Sequence, residues 1–382
     1  MGRNQKNKTK GNGEGTIYVS SKTGLLVGQY CYNRKRKSVY QKKNEKTTDF
    51  KKRFSKILTE INEGTYIEKN DETFSSILKN HIDQKYKDGT TSDRGYKRDL
   101  DTFKAIEKTC NNFINKAIQK VTLNDINLAK ESIKNYSKSS IDKIWRLINK
   151  TFKIAISRRL IIFNIMDDED LKKPISNKVQ TSVEALTIDE EKKLTDILNN
   201  EEKNHKYRNI ILLQLYTGMR IGEVLALSRD CVDLKSNTLT VYRTLTRDLN
   251  EKVILGETTK TGGDGVRTFP MTTTVRKLIN EILKNKMFNI YNLLFWDFTK
   301  SSFVTPAQID SYLTRLNKKY KISNNISSHV LRHTFITRCV ESGMFIKAIQ
   351  KIVGHKPNSS ITVDVYTSIS NDFILKELKK IK

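Results

Sequence analysis

The chain has 382 residues, enough for two or three domains at roughly 100–200 residues each, so a single small module is excluded. Lys and Arg number 70 against 42 Asp and Glu, a formal charge of +28 that seeks a polyanion, either nucleic acid or an anionic membrane surface. With 37% hydrophobic residues, 17 Gly and 4 Pro, the composition permits packed cores and argues against a long disordered chain. Cys31, Cys110, Cys231 and Cys339 lie far apart with no C-x-x-C pair, which predicts ordinary thiols in a reduced, cytoplasmic setting. The opening MGRNQKNKTKGNGEG lacks the apolar stretch of a signal peptide. No apolar run reaches the roughly 18–20 residues of a membrane span, so neither secretion nor membrane insertion is expected.

After the basic tail 1–14, GTIYVSS, LLVGQYCYN and KSVYQKK read as short strands separated by turn residues and a charged loop. From about Thr48, Phe50, Phe54, Ile57, Leu58 and Ile61 recur at helical spacing until Gly64. The first 53 residues hold fifteen Lys or Arg against Glu14, Glu45 and Asp49, a local charge of +12. Scattered lysines usually form a solvated face, but a sheet this lopsided is better read as a DNA-contacting one. From Thr73 to Met166, four segments show apolar stripes of 3.6-residue period and predict a helical bundle: FSSILKNHIDQKY, YKRDLDTFKAIEKTCNNFINKAI, LNDINLAKESI and SSIDKIWRLINKTFKIAISRRLI. Trp145 and Phe152, seven apart, are read as core. DDED at 167–170 and the following LKKPISNKVQTS predict an exposed linker.

The third segment opens on Thr187 and Glu190, spaced as a capping box. Two apolar helices broken near Gly218 follow, then strands TLTVYRTL, KVILG and RTFPM, then mainly helix. The expected architecture is multidomain α+β: a small N-terminal β-sheet plus helix (1–66), an all-helical bundle (71–170), a linker (171–183), and a mostly helical domain with a small antiparallel sheet (184–382). No repeat of 20–50 residues is present.

Three of the five histidines fall between His329 and His355. In SSHVLRHTF a helix displays His329 and Arg332 on one face, although a lone H-x-x-R is more often packing than chemistry. In TGMRIGEVLAL, Gly218 allows a tight break, and Glu223, three residues after Arg220, can orient the guanidinium; the bland alternative is a surface ion pair of little worth. KIVGHKPNSSITVDVYTSIS places His355 after a glycine at a helix end and Tyr366 eleven residues on. Each piece is weak alone. In this order, T-G-x-R-x-G-E, a lysine between strands, H-x-L-R-H, G-H and a final Tyr, they are specific, and the segment resembles the tyrosine recombinase (phage integrase) family, in particular integrases of conjugative transposons.

The resemblance implies catalytic roles for Arg220, Lys260, His329, Arg332, His355 and Tyr366, the last as nucleophile, with Glu223 supporting Arg220. In ETTKTGGDGVRTFPM, Lys260 departs from the family's frequent KTxxS pattern, having Gly262, Gly263, Asp264 and Gly265 after it. The implied chemistry is DNA strand cleavage and rejoining through a 3′-phosphotyrosine and a Holliday junction, without metal or cofactor. Arg220 and Arg332 would bind the non-bridging oxygens, and Lys260 would protonate the departing 5′-oxygen. The implied partners are double-stranded DNA at element ends and target site, a homotetramer exchanging its C-terminal tails through Phe373, Ile374 and Leu378, and an excision factor or DNA-bending protein. The implied location is the bacterial cytoplasm, at the nucleoid. By architecture the first domain would bind arm-type sites, with Arg34, Lys35, Arg36 and Lys37 in the aromatic-basic run QYCYNRKRKSVYQKK as its surface. The second would bind core sites, with Tyr96, Lys97, Arg98, Lys143 and Arg146 near phosphates. His333 is read as structural.

Three other readings compete. A type IB topoisomerase shares the catalytic set but lacks the need for a basic N-terminal sheet. A non-enzymatic DNA-binding protein would be indifferent to Tyr366→Phe. A zinc hydrolase using His329, His333 and His355 would lack an H-E-x-x-H motif and would fail on chelation.

Overall fold

A computed structural model describes residues 15–178, 183–256, 265–284 and 288–355. They fall into two compact units, residues 15–92 with 98–178, and residues 183–355 with 93–97.

The first unit begins with three antiparallel strands, β1 (Thr16–Val19), β2 (Leu26–Tyr32) and β3 (Lys35–Tyr40), in that spatial order. Tyr32 pairs with Lys35, leaving Asn33 and Arg34 as a two-residue turn with φ of 51° and 60°. Such a turn matches the twist of a tight hairpin, so the expected charged loop is a turn, and Lys35, Arg36 and Lys37 lie in a strand. Helix α1 (Thr47–Asn62) covers one face with Phe50 and Phe54. A Cβ at Gly28 would lie 2.5 Å from the Phe54 ring, which places Gly28 on the covered face.

Helices α2 (Phe74–Lys87), α3 (Asp93–Thr109), α4 (Leu123–Ile133) and α5 (Lys138–Ser157) follow. Phe74 packs edge-on to Phe113 at 5.1 Å and tilted to Phe152 at 5.6 Å, in a core with Ile77, Ile106 and Ile148. Phe152 is core as expected, whereas Trp145 is only half-buried. The helix expected over residues 96–118 ends at Thr109 instead. The chain turns there, with Asn112 and Lys116 bonded to Asp125, which closes the capping box of α4 with the N-cap Thr122. Residues 171–178, the start of the expected linker, follow the bundle: Leu171 and Pro174 are buried, and Ser176 Oγ donates to the Tyr136 carbonyl at 2.6 Å. The remainder of that stretch, 179–182, lies outside the described residues, as does the tail 1–14.

The second unit contains α6 (Ile188–Asn199), α7 (Arg208–Thr217) and α8 (Ile221–Leu225). Thr187 and Glu190 close the expected capping box on α6. Strands β4 (Val232–Asp233), β5 (Thr238–Val241), β6 (Thr244–Arg247), β7 (Val253–Gly256) and β8 (Arg267–Pro270) come next. They form two small antiparallel sheets, β4-β5-β8 and β6-β7. Helix α9 (Thr273–Leu283), the pair β9 (Trp296–Asp297) and β10 (Ser302–Phe303), α10 (Pro306–Tyr320), α11 (Ser328–Glu341) and α12 (Ile346–Val353) complete it. Helix α7 is apolar all round, with Ile210, Ile211, Leu212, Leu213 and Leu215 buried, as a central helix must be. It packs on α11 and ends at Gly218 in the left-handed conformation (φ 63°). A Cβ at Gly218 would sit 2.2 Å from the Phe335 ring of α11, so glycine is required both for the turn and for the close helix approach. Among the described residues no helix is long and apolar enough to cross a membrane.

Candidate functional site

The left-handed turn at Gly218 redirects the chain so that Arg220 becomes the N-cap of α8 and Glu223 its third residue. Glu223 is 1% exposed. It accepts from the Arg220 backbone N–H at 3.0 Å and from Arg220 Nη1 at 2.8 Å. A second guanidinium, Arg267 on β8, donates to it through Nη2 at 2.7 Å and Nη1 at 3.3 Å. Burial alone would raise the carboxyl pKa, but the Arg267 hydrogen bond and the charges of Arg267 and Arg220 outweigh it and hold the group below its ordinary value. Glu223 is therefore an anion shared by two arginines.

Arg332 projects from the first half of α11 and is buried. Its Nη1 donates to the Gly218 carbonyl at 2.9 Å and its Nη2 to the Val353 carbonyl at 2.8 Å. Burial, with the charge of Arg220, pushes its pKa down to about 9, which leaves it a cation at neutral pH.

The three guanidiniums meet at the C-terminal turn of α12. The carbonyls of Ile352, Val353 and Gly354 accept respectively from Arg267 Nε at 2.6 Å, Arg332 Nη2 at 2.8 Å and Arg220 Nη2 at 3.1 Å. The negative end of the helix dipole suits three cations, and three orphan carbonyls are satisfied at once. Gly354 closes the helix at φ 68°, and His355 follows. Burial and the charges of Arg332 and Arg220 push the His355 pKa down to about 4, so it enters the site as a neutral imidazole. Three guanidiniums and one carboxylate leave a charge of +2, an arrangement that favours an anion.

This has a consequence for stability. The ordinary histidine pKa is 6.5, and folded His355 stays neutral below it, so the unfolded chain binds the extra proton between about pH 6.5 and 4. The contribution is full above about pH 6.5 and is lost as pH falls toward 4. The urea midpoint of the wild type should therefore drop more between pH 7 and pH 5 than that of His355→Gln; equal drops would contradict the neutral assignment.

Of the residues expected from sequence, Arg220, Glu223, Arg332 and His355 converge. His329 is exposed in the first turn of α11, on the helix that carries Arg332, and Ser328 beside it donates its N–H to Asp310 of α10 at 2.8 Å. His333 is half-buried. Lys260, Tyr366 and the tail residues Phe373, Ile374 and Leu378 lie outside the described residues. The strands flanking Lys260 do not pair with each other: β7 pairs with β6, and β8 with β5. Sequence reasoning missed Arg267. Its signal was present in R-T-F-P, where two-residue alternation puts the arginine on the same face as the buried Phe269.

The residues of the expected N-terminal DNA surface divide between the hairpin turn and the two faces of the sheet. Register places Thr16, Tyr18, Val27, Gln29, Arg36, Ser38 and Tyr40 on the face opposite α1. Tyr30 is buried against Phe54, with its hydroxyl 2.6 Å from that of Tyr66, and Tyr32 packs edge-on to Tyr66. Lys35 and Lys37 belong to the α1 side, Lys37 pairing with Glu68, and Arg34 is in the turn. Only Arg36 of the four lies on the open face. Arg98 of α3 and Arg146 of α5 are exposed, whereas Tyr96, Lys97 and Lys143 are half-buried.

Residues 184–372 match the phage integrase family, so the chain carries a tyrosine recombinase domain. The integrase of Staphylococcus phage L54a is 31% identical over 186 residues, which is 46% of this chain and 52% of that protein. The transposase from transposon Tn916 of Enterococcus faecalis is 26% identical over 265 residues, 64% of this chain and 62% of that protein. The chain thus spans between about half and two thirds of these relatives' lengths. Among solved structures, the Tn1549 transposon integrase in complex with a circular intermediate DNA superposes with a TM-score of 0.67 at 22% identity, over 81% of this chain and 99% of that one. A lambda integrase tetramer bound to a Holliday junction gives 0.59 at 16% identity, over 91% and 94%. At these identities the likeness is one of fold.

Proposed function

We propose that the protein is a site-specific DNA recombinase of a mobile element, of the conjugative-transposon type, which cleaves and rejoins strands to integrate and excise that element. The observation that carries this reading is the convergence of Arg220, Arg332 and His355 on the C-terminal turn of α12, inside a phage integrase family domain. Tyr366 attacks the scissile phosphorus, the bond to the 5′-oxygen breaks, and Lys260 protonates that oxygen, leaving a 3′-phosphotyrosine. Arg220 and Arg332 bind the non-bridging oxygens, and neutral His355 donates a hydrogen bond. His329, at the open end of α11, takes the phenolic proton. The phosphotyrosine conserves the bond energy, so a 5′-hydroxyl from another strand reverses the step through a Holliday junction.

Residues 1–66 are read as the arm-site module, 71–170 as the core-site module and 184–382 as the catalytic domain. The open sheet face supports the first assignment. It sets Gln29 and Ser38 in the row beside Tyr18, Val27 and Tyr40, with Arg36 one row further on, so that polar groups for base edges and phosphates lie to one side of two aromatic rings. Assembly as a tetramer on paired sites, with exchanged C-terminal tails and an excision or bending factor, belongs to the same reading, as does a place at the bacterial nucleoid. The lambda integrase tetramer on its junction is the arrangement carried over.

The test is a nicked suicide duplex from the element's end, incubated with the full chain in EDTA. A denaturation-resistant protein–DNA adduct is expected from the wild type and none from Tyr366→Phe. Tight, salt-sensitive binding with no adduct from either protein would overturn the reading.

A further inference from the structure

Arg267 places a guanidinium inside the second unit with its side chain only 4% exposed. A purely structural residue at such a site is replaceable by apolar packing, often without loss of stability, so its partners decide what it is for. They are three. Glu223 receives both of its Nη groups, the Ile352 carbonyl receives its Nε, and the Gly265 carbonyl, two residues back on the same segment, receives Nη1 at 3.3 Å. The first two lead to the reacting group of residues. Glu223 is the carboxylate that also holds Arg220, and Ile352 begins the run of three carbonyls whose next members hold Arg332 and Arg220. Gly354 ends that run, and a Cβ there would lie 2.7 Å from Arg267 Nη1, so the guanidinium occupies the space that glycine leaves.

We propose that Arg267 is a positioning residue for strand cleavage: by sharing Glu223 and tying down the last turn of α12, it sets the guanidinium of Arg220 and the backbone leading into His355. The inference rests on the recombinase reading above. Its physical basis is competition for one anion. With Arg267 in place the Glu223 charge is divided between two guanidiniums, leaving Arg220 a surplus of positive charge for phosphate. Without it, Glu223 is balanced by Arg220 alone, which is drawn onto the carboxylate and away from the DNA. The loss must then appear in the chemical step more than in DNA affinity, because affinity is spread over many phosphate contacts.

The experiment uses the full chain on the suicide duplex, with Arg267→Lys as the charge-keeping variant and Arg267→Met as the charge-removing one, each also in an Arg220→Lys background. Single-turnover adduct rate, equilibrium DNA affinity and thermal melting are measured together. For Arg267→Met in the wild-type background, the rate should fall roughly 30- to 100-fold while affinity stays within about threefold, and Arg267→Lys, which keeps the charge on Glu223, should lose less. In the Arg220→Lys background Arg267→Met should cost less than about threefold, since the group that Arg267 positions is already impaired. Equal losses in both backgrounds would show a role independent of Arg220 and overturn the proposal. An Arg267→Met rate within about threefold of wild type overturns it alone and leaves the recombinase reading standing; no adduct from the wild type overturns both.

Discussion

Replacing Glu223 by alanine is expected to destabilise the second unit by about 3–5 kcal/mol, the cost typical of stripping one partner from a buried ion pair. The size follows from what the carboxylate does: it accepts four hydrogen bonds, from the Arg220 backbone and from three guanidinium nitrogens, while 1% exposed. Its removal leaves Arg220 and Arg267 facing each other without their anion and the N-terminal turn of α8 without its reciprocal cap. Against a total stability of roughly 5–15 kcal/mol this is a large fraction. Glu223→Gln keeps the shape and one acceptor but presents an amide NH2 to a guanidinium, so it should fall between alanine and wild type. The pH dependence has a fixed sign. Because the folded pKa is depressed, the stabilisation is full above the ordinary carboxyl value of 4.5 and is lost as pH falls through the folded pKa. Urea unfolding at pH 7 and pH 4 measures both effects. A loss below about 1 kcal/mol for Glu223→Ala at pH 7 would mean that the two arginines find other anions.

What the sequence made legible was local. The capping box at Thr187 and Glu190, the stop at Gly64 and the i,i+3 pairing of Arg220 with Glu223 depend on neighbours within one turn, and all are present in the structure. What it hid depended on distant partners. The helix expected through residue 118 stops at Thr109 where the chain turns toward Asp125, and nothing in an apolar period encodes that. The turn at Asn33 and Arg34 lacks the glycine that usually marks a two-residue hairpin, so the basic run looked like a loop and its alternation of faces went unread. Arg267 finds its carboxylate 44 residues upstream and its carbonyl 85 residues downstream. The order of the motifs identified the family, whereas the ladder of three arginines on three carbonyls is a property of the fold alone.

Arg332→Lys is expected to lower the single-turnover adduct rate by about 10²–10³-fold, the range seen when one preorganised donor to a developing oxyanion is removed. Lysine keeps the charge, so the effect isolates geometry. The Arg332 guanidinium spans from the Gly218 carbonyl, which ends α7, to the Val353 carbonyl, which ends α12. A planar fork can make both bonds and keep further N–H groups directed elsewhere; an ammonium on a flexible stem cannot. One buried carbonyl is then left unsatisfied, at about 1–3 kcal/mol, and the ends of α7 and α12 lose a shared tie. Those ends carry Arg220 and His355, so one substitution disturbs three groups. DNA affinity should change by less than about threefold, because many other phosphate contacts remain. The comparison of rate with affinity is decisive for what the arginine does. If affinity falls as far as rate, Arg332 binds the resting phosphodiester as strongly as the attacked one, and its contribution is to docking; if rate falls alone, the bonds to its guanidinium strengthen as charge gathers on the phosphoryl oxygens.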